Sequence, residues 1–207
     1  LTRETMDAFA IDSLRKANTA LEAGHLQAEI ESVSVKSCTD SRWIDRDEQP
    51  ELVRLDNIPK LRPAFKQDGT ITAANSSSIS DGASALILAS DYAVVQHDWA
   101  PRARILGSQS FACAPDEFTL APIGAIQRLL DQLGWTIADV DLFEINEAFA
   151  MVTMLAIQKL KLDVDKVNIY GGACAQGHPI GSTGARIVLT LMTALTNQHL
   201  QREIGRA

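Results

Sequence analysis

Cysteine is scarce in this chain. Three residues among 207, Cys38, Cys113 and Cys174, are an odd number without paired spacing and exclude a disulfide framework. No CxxC pair occurs and no His/Cys grouping has zinc-ligand spacing, so a metal centre is not expected. A reducing cytoplasm is the simplest compartment for such a chain. Positive charge is also short. Lys and Arg number 19 against 26 Asp and Glu, a net charge of −7, which excludes the basic face that nucleic-acid binding needs. No apolar run is long enough to span a bilayer; the most apolar stretch, near 187–195, is far too short. There is no GxxxxGK[ST] phosphate loop, no GxGxxG spacing, no internal repeat and no secretory signal. The first residue is Leu1, and the chain opens inside a helical pattern, as a truncated or processed product would.

What remains is ordinary for an α/β protein: 46% hydrophobic and 22% charged residues, in a length that suits one domain or pieces of two. Met6, Phe9, Ala10, Leu14 and Ala17 recur at helical spacing, Thr2 with Glu4 and Thr5 supplies helix-start chemistry, and Gly24 ends the helix. Residues 30–70 are polar, hold three prolines and read as a loop-rich excursion with short strands near 31–35. Lys60, Arg62 and Lys66 within it are candidates for an anion-binding patch, or simply a solvated surface. Further on, the pattern predicts a buried strand over 83–89, a short helix over 90–98 and a strand over 102–108. A helix opened by Pro122 and stopped by Gly134 follows, then a strand over 140–145, a helix over 146–161, a strand over 167–170 and a buried helix over 182–195. The alternation indicates an α/β layered fold.

Three segments carry chemistry. Asn146-Glu147-Ala148-Phe149-Ala150 falls at a strand-to-helix junction, where α/β proteins place ligands; read alone, Asn146 also fits a helix cap. Residues 171–184 hold five glycines, one proline and His178, a frame that fixes a histidine for proton work near neutral pH. Residues 69–82 place small polar side chains ahead of an apolar run, either as a ligand contact or as a Ser/Asn-rich turn.

Together these segments resemble the thiolase family. The carriers are Asn-Glu-Ala-Phe-Ala at 146–150 and Gly-Gly-Ala-Cys-Ala-Gln-Gly-His-Pro-Ile-Gly at 171–181, followed by Gly184-Ala185-Arg186. Supporting matches lie at 3–10, 61–65, 69–77 and 81–85, so the resemblance covers essentially the whole chain and corresponds to the later half of a subunit. It implies a five-layer αβαβα fold, mixed sheets covered by helices, in a homodimer or homotetramer. Residues 1–77 would be the latter part of the loop domain over the coenzyme A site, 78–100 the end of the N-terminal domain, and 101–207 the C-terminal domain without its last strands. The implied activity is Claisen condensation of acetyl-CoA or thiolysis of 3-ketoacyl-CoA, within fatty acid metabolism. Coenzyme A thioesters would be the substrates, with no tightly bound cofactor and no nucleic-acid or membrane partner.

The resemblance also implies roles. His178 would activate the nucleophilic cysteine and help form an oxyanion hole, and Asn146 would hold a water that completes it. Ser77 and Ala73 would contact the pantetheine arm, Phe149 and Phe65 would line its tunnel, and Gly181 would lie beside the thioester. The family's two catalytic cysteines sit in Cys-x-Ser-Gly and Cys-x-Gly-Gly-Gly contexts, and neither occurs in these 207 residues. The chain alone is therefore expected to be inactive. Cys174 reads as a small buried hydrophobe. Phe118 stands where many thiolases have a methionine lining the acyl pocket, which leaves acyl-chain preference open, as are the direction of the reaction and oligomer size. The alternative is a thiolase-like protein that binds coenzyme A esters without turning them over. A ketoacyl synthase fits the motifs less well.

Overall fold

The computed structural model describes residues 1–36 and 40–206; Cys38, one of the three cysteines read as unpaired, lies outside them. Helix α1 (Arg3–Glu22) starts where expected. Thr2 and Thr5 form a reciprocal capping box, and Met6, Ala10, Leu14 and Ala17 are buried along one stripe while Gly24 adopts a left-handed φ of 72°. The excursion holds an antiparallel hairpin of β1 (Val33–Lys36) and β2 (Ser41–Ile44), then the single-turn α2 (Gln49–Leu52). Ser90 caps α3 (Asp91–Gln96) by accepting the Ala93 N–H.

The remaining elements build the core. Helix α4 (Ala121–Leu133) has Pro122 in its first turn and ends on Gly134 at φ 66°, both as the sequence predicts. Strand β3 (Leu142–Ile145) is fully buried and pairs in parallel with β4 (Glu203–Arg206). Between them come α5 (Ala150–Leu160), the one-turn α6 (Ala173–Gln176) and α7 (Ile180–Gln198). Side chains alternate across a strand, so β3 separates two apolar layers. Phe143 and Ile145 face Ile126 and Leu130 of α4 and Ala156 of α5. On the other face Leu142 packs with Ile187, Leu191 and Ala194 of α7 and Ala20 of α1. The result is an α/β fold with helices on both faces of a small parallel sheet.

Four expectations need correction. Residues 83–89 and 102–108 form no strand: among the described residues they enter no ladder, and Ile87 and Ile105 are 93% and 68% exposed. A strand exists only through a partner strand, and among the described residues no strand pairs with either segment. Residues 167–170 contribute a single parallel bridge, Val167 to Phe143, before Asn168 turns the chain at a φ of 46°. The fifth helix begins at Ala150 instead of 146, so Asn146 is not its cap. The cause is local pairing. Ala148 and Phe149 are extended against the serine segment, with Ser77 N–H donating to Ala148 C=O at 3.0 Å and Ala150 N–H to Asn75 C=O at 2.9 Å.

Candidate active site

His178 and Asn146, 32 residues apart, meet. The Asn146 Nδ2 lies 3.3 Å from His178 Nε2, and His178 Nδ1 lies 2.7 Å from Thr183 Oγ1. Thr183 also donates to the carbonyl of Pro179 at 3.0 Å, the usual four-back bond of a hydroxyl in a first helical turn. A hydroxyl has one proton. With that proton on Pro179, Thr183 accepts from His178, so Nδ1 carries hydrogen and Nε2 presents its lone pair toward the Asn146 amide. This tautomer follows from the hydrogen-bond network. Asn146 Oδ1 is then the remaining acceptor, and it is buried without a donor among the described residues.

The glycine frame holds this geometry. Gly177 has a φ of 89°, and a Cβ there would lie 2.2 Å from Ser80 Oγ, so neither backbone nor space admits another residue. The His178 N–H donates to Ser78 C=O at 3.1 Å, which ties the histidine to the serine segment. Burial pushes the His178 imidazole below its ordinary pKa, and the nearby Arg186 guanidinium acts in the same sense. Both favour the neutral form that can take a proton.

Other expected residues are placed as follows. Ser77 follows Ser76, the bridge partner of Phe149, and its hydroxyl donates to Ala148 C=O at 3.1 Å. The Phe149 ring is met edge-on from two sides, by Phe65 and by Phe118, each with a centroid distance of 6.2 Å. Phe65 and Phe118 remain 76% and 50% exposed. Gly181 is exposed in the first turn of α7, three residues past His178, and Ala73 is exposed in the turn formed by the buried Thr72 and Asn75. No hydrogen bond joins Ala73 or Gly181 to His178 among the described residues. Cys174 is buried, and burial first, then the Glu147 charge, pushes its thiol well above the ordinary value. It cannot supply a thiolate near neutral pH. The half-buried Cys113 donates to Glu117 C=O at 3.3 Å.

The sequence reading missed Thr183, whose signal was its place five residues after the histidine, and the buried carboxylates Glu144 and Glu147. Glu144 pairs with Arg186 at 3.0 Å. Among the described residues no group of three or more His, Cys, Asp or Glu could hold a metal ion, and no helix is long and apolar enough to cross a membrane.

Known proteins resemble this chain along nearly its whole length. Residues 1–92 match the thiolase N-terminal domain and residues 99–206 the thiolase C-terminal domain. The "Probable acetyl-CoA acetyltransferase" of Dictyostelium discoideum is 44% identical over 202 residues, 97% of this chain and 49% of that protein. The human "3-ketoacyl-CoA thiolase, mitochondrial" is 37% identical over 209 residues, 100% of this chain and 52% of that protein. The crystal structure of the human mitochondrial 3-ketoacyl-CoA thiolase superposes with a TM-score of 0.94 at 37% identity, covering 99% of this chain and 52% of that one. The Acat5 thiolase from Ascaris suum in complex with coenzyme A gives a TM-score of 0.88 at 42% identity, with 94% of this chain and 50% of that one covered. The chain spans about half the length of the relatives it matches. With both thiolase domains matched along nearly its whole length, the chain belongs to the thiolase family.

Proposed function

We propose that this chain supplies the histidine and asparagine half of a thiolase active site, in an enzyme that condenses acetyl-CoA or cleaves 3-ketoacyl-CoA. The observation that carries it is the Asn146–His178 contact with an Nε2 lone pair fixed by Thr183. In that reading His178 Nε2 takes the proton of a cysteine thiol supplied by the remainder of the protein. The thiolate attacks the thioester carbonyl, and coenzyme A leaves as a thiolate that takes its proton from solvent, so the acyl enzyme forms with the cysteine's proton still on Nε2. Once protonated, Nε2 becomes a donor toward the thioester oxygen of the second substrate. Asn146, through a water held on its amide, adds the second donor to the developing enolate. One such preorganised donor contributes about 3 kcal/mol. Ser77 and Ala73 line the pantetheine arm, Phe149 and Phe65 its tunnel, and Gly181 the thioester.

In this reading residues 1–77 are loop domain, 78–100 the end of the N-terminal domain and 101–207 the C-terminal domain. The protein works as a homodimer or homotetramer in the cytoplasm, in fatty acid metabolism, without a tightly bound cofactor. The cytosolic acetyl-CoA acetyltransferase of Gibberella zeae, 42% identical, supports that compartment, whereas other relatives are mitochondrial.

The test is thiolysis of acetoacetyl-CoA by this chain, alone and combined with the segments that carry the two cysteine motifs. Turnover only in the combination, abolished by His178→Ala, is the expected result. Turnover by the chain alone would refute the assignment of the nucleophile elsewhere. Tight coenzyme A binding without turnover in an assembled, folded complex would favour the non-catalytic alternative.

A further inference from the structure

The two arms that meet at the candidate site are irregular. Asn146 sits in the extended turn after β3, and His178 follows the single-turn α6. Neither lies within a helix or strand; the His178 N–H is tied to Ser78 C=O, and residues 148–150 beyond Asn146 pair with the same serine segment. Glu147, the neighbour of Asn146, is turned into the interior and is 0% exposed. Its Oε2 accepts from Ser13 Oγ at 2.7 Å and from the Cys174 backbone N–H at 3.1 Å, and its Oε1 accepts from Asn168 Nδ2 at 2.8 Å. Ser13 Oγ in turn accepts the Gly172 N–H at 2.9 Å. The Asn168 amide cannot turn round, because its Oδ1 accepts the Ile145 N–H at 2.8 Å while Nδ2 also donates to the Ile145 carbonyl at 2.9 Å. One carboxylate therefore joins the Asn146 arm, helix α1, the turn at 168 and the start of the segment leading to His178. The fit is close: a Cβ on Gly172 would lie 2.3 Å from the Glu147 carboxyl carbon.

We propose that Glu147 is the positioning residue of this site, its buried carboxylate fixing the distance and orientation between Asn146 and His178. The proposal rests on the reading of those two residues as the reacting pair. Every bond to Glu147 comes from a donor, so an acceptor-only group is required. Glutamine would turn an N–H2 toward the immovable Asn168 amide or toward Ser13 and the Cys174 N–H, leaving a buried donor unpaired. The two arms would then shift independently, and Nε2 would lose its fixed partner and gain water.

The test follows the four histidines of this chain, isotope-labelled and assembled with the segments that complete the enzyme, by long-range proton–nitrogen spectra across pH, in the native form and in the Glu147→Gln, Glu147→Asp and Ser13→Ala variants. In Glu147→Gln the His178 midpoint is expected to rise toward the ordinary imidazole value, and its Nε2 signal to lose the hydrogen-bonded shift. The signals of His97, stacked on Trp99 and without a contact to this network among the described residues, should stay unchanged. Glu147→Asp, which keeps the charge but not the reach, should fall between. Ser13→Ala removes one donor and keeps the carboxylate; it should move His178 less and in the same sense, and it serves where Glu147→Gln does not fold. A general structural loosening would move the melting temperature without singling out His178. Unchanged His178 titration in a folded Glu147→Gln or Ser13→Ala protein would overturn the proposal. Turnover is not read in these spectra, so failure of the thiolysis test and failure of this one are separate results.

Discussion

Thr183 does for the imidazole what no neighbour in sequence could do, since its single proton is committed to Pro179 and Nδ1 must therefore donate. In the assembled enzyme Thr183→Val should lower kcat by about tenfold or more with little change in KM, because the base loses its tautomer while substrate contacts remain. Thr183→Ser should retain most activity. Titration adds a second expectation. Burial raises the carboxyl of Glu144 from 4.5 to about 7 against the attraction of Arg186, and burial alone does the same for Glu203. A carboxyl with a raised folded pKa contributes stability that is complete below its unfolded value and is lost as pH rises through the folded one. These two groups should make the unfolding free energy fall between about 4.5 and 7, and Glu203→Gln should flatten that slope. His178 works in the opposite direction. Its folded pKa is depressed, so its contribution is present above the ordinary imidazole value and is lost as pH falls below it. Chemical denaturation followed across pH in native, Glu203→Gln and His178→Ala chains separates the two slopes.

At the scale of elements, stability lies in the layers around β3. Ile187 is 1% exposed and packs under Leu142, so Ile187→Ala should cost about 2–5 kcal/mol in denaturant unfolding. Gly134 closes α4 in the left-handed region with open space around it; Gly134→Ala should cost only about 1 kcal/mol, all of it backbone strain. These elements were the legible ones. Helix α4 announces itself by Pro122, its apolar stripe and Gly134, and α1 by its stripe and threonine cap. The start of the fifth helix was not legible, because pairing of 148–150 with the serine segment holds residues 146–149 extended, and that pairing joins parts of the chain some 70 positions apart. The segment over 83–89 misled for the reverse reason. Its composition suits a buried strand, but composition cannot report whether a partner strand is present.

At the scale of the whole molecule, the unpaired segments leave large apolar side chains exposed. Ile79, Ile87 and Leu88 are 99%, 93% and 74% exposed, and Ile105 and Leu106 are 68% and 55% exposed, in segments that enter no ladder among the described residues. Exposed apolar surface next to unpaired backbone favours association. The isolated 207-residue chain should therefore bind a hydrophobic dye and self-associate at micromolar concentration, and the segments it lacks relative to its family should suppress both. Light scattering on the purified chain decides this; a monodisperse sample that binds no dye would contradict it.

The sequence by itself determined the family and the layered α/β class, and it singled out the pair proposed to react, because each rests on local chemistry. Glycine density at 171–184, a histidine held before a proline, and an asparagine at the end of a buried strand are visible in order along the chain. Only the tertiary structure decided the state of that pair. The tautomer of His178 depends on a hydroxyl one helical turn away, the placement of Asn146 on pairing with the serine segment, and the separation of the two arms on Glu147, whose partners lie 134, 21 and 27 positions distant. Such distances vanish only when the chain is folded, and no periodicity or motif encodes them.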